Sequence, residues 1–306
     1  MNYGNILSSA WKTLWKHKVI LWFGTLMAIP NALMGIVMAG IFYSFTEEKF
    51  ISFVEGNSTE PDAFLLFVIL FFVSMILLSI LSYAMMALSF AGALKGTFDL
   101  KNKETTISFH ELWDASLPYV WRIFGIIFII FIVIFSFFAV IMFLGAIFGA
   151  VTAGIGFICL TPLMLLIIPL ELLAFLFASI ALASVVAEDI GVFDAMRKAR
   201  DLLKENFWTW ILMGIIVGFI LWAVSMVVMV PMQFAQFVFM MPMLSDPYVQ
   251  EPTAFLRPFS ILMVIMIPLM GIVQGLSLAY GNAVWIFSYL DITSKPENEE
   301  EIIEYA

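Results

Sequence analysis

The chain has 306 residues, of which 63% are hydrophobic and only 12% charged. Soluble domains average about 45–50% apolar and about 25% charged residues, so this composition excludes a soluble fold and makes lipid the expected solvent. The net charge of −9 is not one acidic surface, because acidic residues gather in the first hydrophilic loop and the tail while basic ones lie elsewhere.

The first segment, Asn5–Lys16, carries Leu7, Trp11, Leu14 and then Lys18 at steps of four, three and four. That spacing puts Trp11 and Leu14 on one helical face and turns Lys12 and Lys16 away, as suits a helix at the lipid headgroups. The apolar run after Lys18 is longer than the core of a cleavable signal, so it is expected to be a retained first span, about Val19–Tyr43. Pro30-Asn31 predicts a kink within it, since proline removes a helical hydrogen bond.

A hydrophilic loop at Thr46–Asp62 holds Glu47, Glu48, Glu55, Glu60 and Asp62 against Lys49 alone. Span 2 lies within Ala63–Leu94, 32 residues without a charge. Such a helix is about 48 Å long, more than the roughly 30 Å hydrocarbon core. Lys95–Arg122 is mixed in charge, and Ser108-Phe109-His110-Glu111 fits a capping box at a helix start. Phe109, Leu112, Trp113 and Ser116 share a face, and Pro118 is expected to end or bend a second short amphipathic helix.

Ile123–Leu170 gives 48 residues with no charge, enough for span 3, a turn near Ala150–Cys159 and most of span 4, about Leu160–Ala187. Cys159 is the only cysteine, which excludes an intramolecular disulfide and a multi-cysteine metal site. The charged stretch Glu188–Asn206 follows. Val192, Met196, Ala199 and Leu203 mark one helical face, and Asp194, Arg197, Asp201 and Lys204 an alternating-sign stripe on another. Gly191 is expected to break the chain before this helix. Span 5 is about Phe207–Met232, a proline-rich loop Gln233–Pro258, and span 6 Phe259–Leu290. The acidic tail from Asp291 is expected to be solvated.

The expected architecture is therefore all-α: a polytopic membrane protein of six transmembrane helices in three hairpins, each preceded by a short cytoplasmic amphipathic helix. Residues 1–291 form a single integral membrane domain and 292–306 a short acidic cytoplasmic tail. With six crossings, 12 of the 14 Lys and Arg residues fall on one side and 2 on the other. The basic excess marks the cytoplasmic side, so both termini and all three short helices are expected there, in the cell membrane. The layout reads as an internal repeat used three times, about 5–100, 107–190 and 192–291. Even spans end at Asp99, Asp189 and Asp291, and odd spans open towards Gly24, Gly125 and Gly214.

Four Gly-xxx-Gly pairs, Gly92/Gly96, Gly145/Gly149, Gly214/Gly218 and Gly271/Gly275, mark close helix contacts, within the chain or with a second copy or another membrane partner. No catalytic constellation is read. His110-Glu111-Leu112-Trp113-Asp114 lacks the second histidine of a zinc-protease motif, and Glu47-Glu48 lacks the partners of an intramembrane protease site. Glu171 is the one ionisable residue inside an apolar block, a candidate for a gating or ion-coupling role. It lies 17 residues, about 25 Å, before Glu188, which places it near the outer boundary. Gln274 and Asn282 in span 6 are candidate interhelical hydrogen-bonding groups.

Residues 187–208, with the acidic pair Glu188-Asp189, then Gly191, Asp194-Ala195, a basic run and Asn206-Phe207-Trp208, resemble the signature of a prokaryotic family of six-span membrane proteins of unknown function. The N-terminal Ser9-Ala10-Trp11-Lys12-Thr13-Leu14-Trp15-Lys16 through Trp22-Phe23-Gly24 is similar too. The family includes the membrane domain fused to some glycerophosphodiester phosphodiesterases, together with stand-alone relatives. In those fusions the activity belongs to a separate soluble barrel, and nothing after Asp291 is expected to supply one here. The resemblance implies no catalytic residue, no cofactor and no metal. The leading expectation is a non-enzymatic scaffold or partner-binding module at the inner leaflet, contacting the lipid bilayer and no nucleic acid. Strong attraction to anionic lipid is expected from the N-terminal helix alone. The competing reading is a transporter or lipid-handling protein with Glu171 in or near the pathway, with an enzyme a distant third.

Overall fold

The computed structural model describes residues 2–44, 61–102, 107–152, 167–245 and 256–294. In chain order the helices are α1 (Tyr3–Lys16), α2 (Lys18–Thr25), α3 (Ala28–Ser44), α4 (Pro61–Asn102), α5 (Phe109–Val151), α6 (Ile167–Glu188), α7 (Val192–Glu205), α8 (Phe207–Ser245) and α9 (Leu256–Thr293). No strand occurs among the described residues. Six stretches are long and apolar enough to cross a membrane: Lys18–Gly40, Ile69–Lys101, Phe109–Val151, Ile167–Glu188, Phe207–Val238 and Ser260–Thr293. The protein is an all-α polytopic membrane protein. Cys159, Pro162, the first hydrophilic loop with Glu47 and Glu48, and the acidic tail beyond Ser294 lie outside the described residues.

Helix breaks fall at different places from those the prolines suggested. Span 1 breaks at Leu26-Met27, and Pro30 is the third residue of α3, where its missing N–H would have had no intrahelical partner anyway. Pro118 lies inside α5, which runs unbroken for 43 residues, about 65 Å. The expected separate second short helix is thus the beginning of span 3. The carbonyl that Pro118 leaves unpaired belongs to Asp114, whose side chain is 62% exposed and where solvent can take over the bond. Helix α8 continues through Pro231 to Ser245, so the first half of the expected loop Gln233–Pro258 is helical. The uncharged run Phe234–Met241 there suits helix better than an irregular surface segment in lipid.

The described residues pack as two compact units. The first comprises Met1–Ile20, Phe90–Phe219 and Tyr280–Ala306. Helix α1 starts on an Asn2 side-chain cap and buries Ile6, Ala10 and Leu14. Trp11 does not share that face as its spacing suggested: it is 55% exposed and stacks on Trp15. At Gly96 on α4 an added Cβ would stand 3.1 Å from Ile20 and 3.2 Å from Leu112, so α2 and α5 both press close there. Inside the unit Trp285 of α9 lies edge-on to Phe175 of α6 and 6.2 Å from Trp210 of α8.

The second unit comprises Leu21–Ser89 and Ile220–Ala279. Its tightest packing joins spans 1 and 6 along Gly24, Gly35, Gly271 and Gly275. A Cβ at Gly24 would run into the Gly275 carbonyl, and one at Gly275 into that of Gly24. A Cβ at Gly271 would sit 2.9 Å from the Ala28 Cα, and one at Gly35 3.1 Å from Ile267. The backbones touch because no side chain intervenes, the contact expected of small residues between apolar helices. The Gly271/Gly275 pair therefore serves a contact within one chain.

Candidate functional site

Several ionisable residues of the first unit gather where span 4 passes into α7. Helix α6 ends at Glu188, and Asp189 then takes a left-handed backbone conformation, φ 53°. Asp189 is the only non-glycine described residue with positive φ, and it makes the break expected at Gly191. Gly191 instead has φ −74° and ψ 167°, open to any residue, and is the N-cap of α7 without a side-chain cap bond. Aspartate tolerates the left-handed region better than most residues, because its short polar side chain can bond locally.

That turn is held from α5. Arg122 Nη1 donates to Asp189 Oδ1 at 2.6 Å and to the Asp189 carbonyl at 3.2 Å. The guanidinium also lies 5.8 Å from the Tyr119 ring centre, and the Lys95 ammonium lies 5.6 Å from the same ring. Lys95 pairs with Asp99 at 3.0 Å. A continuous polar path Asp99–Lys95–Tyr119–Arg122–Asp189 thus joins α4, α5 and the end of α6.

Glu188 starts a second path. The Tyr289 hydroxyl of α9 donates to Glu188 Oε1, and Lys198 Nζ of α7 lies 3.0 Å from the same oxygen. Tyr289 is 1% exposed, so Glu188 is the acceptor that satisfies an otherwise buried hydroxyl. Helix α7 packs chiefly on α6 and also on α5. Its buried face is Ala195, Ala199 and Leu202; of the expected line through Val192, Met196, Ala199 and Leu203, Ala199 is buried and the other three are half-buried. The alanines let the helix axes approach, so the contact follows the smallest side chains and leaves the larger ones at its edges. Gly125 does the same for α5: a Cβ there would stand 3.3 Å from Val192.

The exposed side of α7 carries Phe193, Asp194, Arg197 and Lys204, with Arg197 3.5 Å from Asp194 and Arg200 2.9 Å from Asp201. Asn206 ends α7; its N–H donates to the Leu202 carbonyl and its carbonyl accepts from Trp210 N. The signature residues Glu188, Asp189, Gly191, Asp194 and Ala195 are therefore parts of one corner between α6 and α7, and Asn206 lies at the other end of α7, where it passes into α8. Lys198, Tyr289 and Tyr119 were missed; Tyr289 gave no local signal, since its partner Glu188 is 101 residues away. Arg122 gave a signal, as the last charge before 48 uncharged residues.

The other candidates are not gathered there. Glu171 lies in the first turns of α6, exposed, with no hydrogen-bond or ion-pair partner among the described residues. Gln274 is exposed on α9. Asn282 is 4% exposed, and its Nδ2 has no hydrogen-bond partner among the described residues. The expected capping box is present: Ser108 N donates to Glu111 Oε2 at 2.8 Å and Glu111 N to Ser108 Oγ at 3.3 Å. His110 faces Asp114 at 3.7 Å in the open. Among the described residues no three His, Cys, Asp or Glu side chains are grouped to hold a metal ion. Chemically, the corner offers carboxylates that each already hold a cation or a hydroxyl, an arrangement that fixes helices against one another.

Six apolar helices and a charged corner at their ends define a multi-pass helical membrane protein. The chain belongs to the family described as a domain of unknown function (DUF8558), whose model matches residues 7–276. No curated protein and no solved structure matches it.

Proposed function

We propose that the protein is a non-enzymatic scaffold of the cell membrane that binds a partner at the inner leaflet through α7. The observation that carries this reading is the outward face of α7. Phe193 is 75% exposed beside Asp194 and Arg197, on a helix fixed by its opposite face and by Glu188. An exposed aromatic within a rim of paired charges is the usual make-up of a protein-binding patch. The basic excess on the α1 and α7 side supports a cytoplasmic orientation of both termini. Residues 187–208 support kinship with the membrane domain of glycerophosphodiester phosphodiesterases, and Gly24, Gly125 and Gly214, each at a close helix contact, support a threefold repeat. A second copy or another membrane protein would approach span 5 at Gly218, where an added Cβ meets nothing within 4 Å.

A photo-crosslinking residue at Phe193 or Arg197 tests the reading in living cells, with one at Phe143, 66% exposed on span 3, as the comparison. Discrete protein adducts from the α7 positions alone are expected. Equal adducts from Phe143, or none from α7, would overturn it.

The second reading, a transporter or lipid-handling protein, rests on Glu171, an exposed carboxylate on a membrane-spanning helix. It requires a pH-dependent solute or lipid flux in proteoliposomes that is lost in Glu171→Gln.

A further inference from the structure

Helix α1 divides into three faces. Ile6, Ala10 and Leu14 are buried against the fold. Trp11 and Trp15 stand next to that face, 55% and 61% exposed, stacked at 5.4 Å with their planes 13° apart. Tyr280 meets Trp11 edge-on at 6.1 Å, which fixes the ring pair against the protein. The third face presents Lys12 and Lys16, both exposed, and Lys18 follows at the head of span 1.

These lysines differ from five of the other described cations, while Lys101 and Lys204 likewise have no ion pair among the described residues. Lys95, Arg122, Arg197, Lys198 and Arg200 each hold a carboxylate. Lys12, Lys16 and Lys18 have no ion-pair partner among the described residues, and the chain has no Asp or Glu before Glu47. Three positive charges, two on a docked helix and one just after it, thus have no paired countercharge among the described residues. Beside them is a pair of tryptophans, the side chain that favours the headgroup layer, and the chain runs straight on into a membrane span.

We propose that α1 is a binding surface for anionic phospholipid headgroups: Lys12, Lys16 and Lys18 supply the charge, and the Trp11–Trp15 stack seats the helix in the headgroup layer. This deepens the scaffold reading, on which it rests for placing α1 at the inner leaflet. An acidic protein would satisfy the lysines equally well but would leave the tryptophans and the adjoining span without a role. Each lysine near an anionic surface strengthens binding by about fivefold, and three by about a hundredfold at low salt. The preference must fade as salt rises, because the charges are exposed.

The test uses the full chain in nanodiscs containing either brominated phosphatidylglycerol or brominated phosphatidylcholine at equal mole fraction. The signal is the tryptophan fluorescence that Trp11→Phe/Trp15→Phe removes. Several-fold stronger quenching of that signal by the anionic lipid is expected, weakened by salt and lost in Lys12→Gln/Lys16→Gln/Lys18→Gln. The triple arginine variant should retain it, which separates a charge effect from misfolding. Equal quenching by the two lipids, or a preference indifferent to salt and to the glutamine variant, would overturn the proposal. So would quenching by neither lipid together with displacement of salt-sensitive fluorescence by an acidic peptide, which would assign the lysines to a protein. Nanodiscs present the same lipid on both faces, so the outcome is independent of orientation. Orientation is read separately, from labelling of Ser9→Cys by an impermeant reagent in cells.

Discussion

Arg122 and Asp189 are joined twice, once through the carboxylate and once through the backbone carbonyl of the residue that turns span 4 into α7. The ion pair alone is worth little, about 0–1 kcal/mol, because the two side chains are 36% and 70% exposed. The backbone conformation matters more. Asp189→Asn should cost less than about 1 kcal/mol, whereas Asp189→Val, with a branched Cβ at φ 53°, should cost about 2 kcal/mol or more. Thermal unfolding in detergent will rank the two, and equal losses would mean that the ion pair governs the corner.

Two residues on, the opposite result is expected. Gly191 already has the extended backbone of an N-cap, and a Cβ there would meet only Asp194 Oδ2 at 3.8 Å. Gly191→Ser should therefore stabilise by a few tenths of a kcal/mol by offering α7 the side-chain cap it lacks. A clear loss of stability on the same melting curve would place Gly191 in a role other than capping.

Removing Glu188 strands a buried group. Glu188→Ala should cost about 1–3 kcal/mol, since the Tyr289 hydroxyl loses its acceptor and Lys198 its partner. Tyr289→Phe should cost less, about 0.5–1.5 kcal/mol, because Glu188 keeps Lys198. The double variant should fall short of the sum by at least about 0.5 kcal/mol. Strict additivity in the unfolding measurements would show that the two residues act independently.

The glycine seam offers a contrast within one residue type. Gly24→Ala and Gly275→Ala each drive a methyl group into the other helix's backbone and should cost about 1–3 kcal/mol. Gly218→Ala, with open space around it, should be neutral or slightly stabilising, since alanine favours helix. Parallel thermal melts of the three variants check this.

His17, at the end of α1, is held below its ordinary pKa of 6.5, first by burial and then by the neighbouring Lys16. The unfolded chain therefore takes up the proton more readily than the folded one. Stability should fall as pH drops through 6.5 towards the lower folded value and level off beneath it. His17→Gln should remove this component, which shows as a smaller difference in Tm between pH 7.5 and pH 5.

The spans were legible because apolar runs such as Ala63–Leu94 contain no charge to end them. Their breaks were not. Pro30 and Pro118 suggested a kink and a stop or bend, yet the effect of a proline depends on whether the carbonyl four residues earlier has another partner, which is a tertiary fact. The capping box at Ser108 was legible because both of its members lie within four residues. The corner was half legible: its residues stand out as charges, but nothing near Glu188 announces Tyr289, 101 residues away. Spacing placed Ala199 on α7's contact face but not Ala195, because it weights large side chains, whereas the contact also selects a small one for closeness.

The seam between Gly24 and Gly275 has a consequence for biogenesis. Its two halves are separated by 251 residues, so span 1 leaves the ribosome long before its tightest neighbour exists. At about 5–20 residues per second the delay is on the order of 10–50 s. Throughout that time the bare backbone of Gly24 and Gly35 is available to any other small-residue helix in the bilayer. Coexpressing an isolated span 6 peptide should therefore trap nascent span 1, and the yield of assembled protein should fall in proportion to the peptide present.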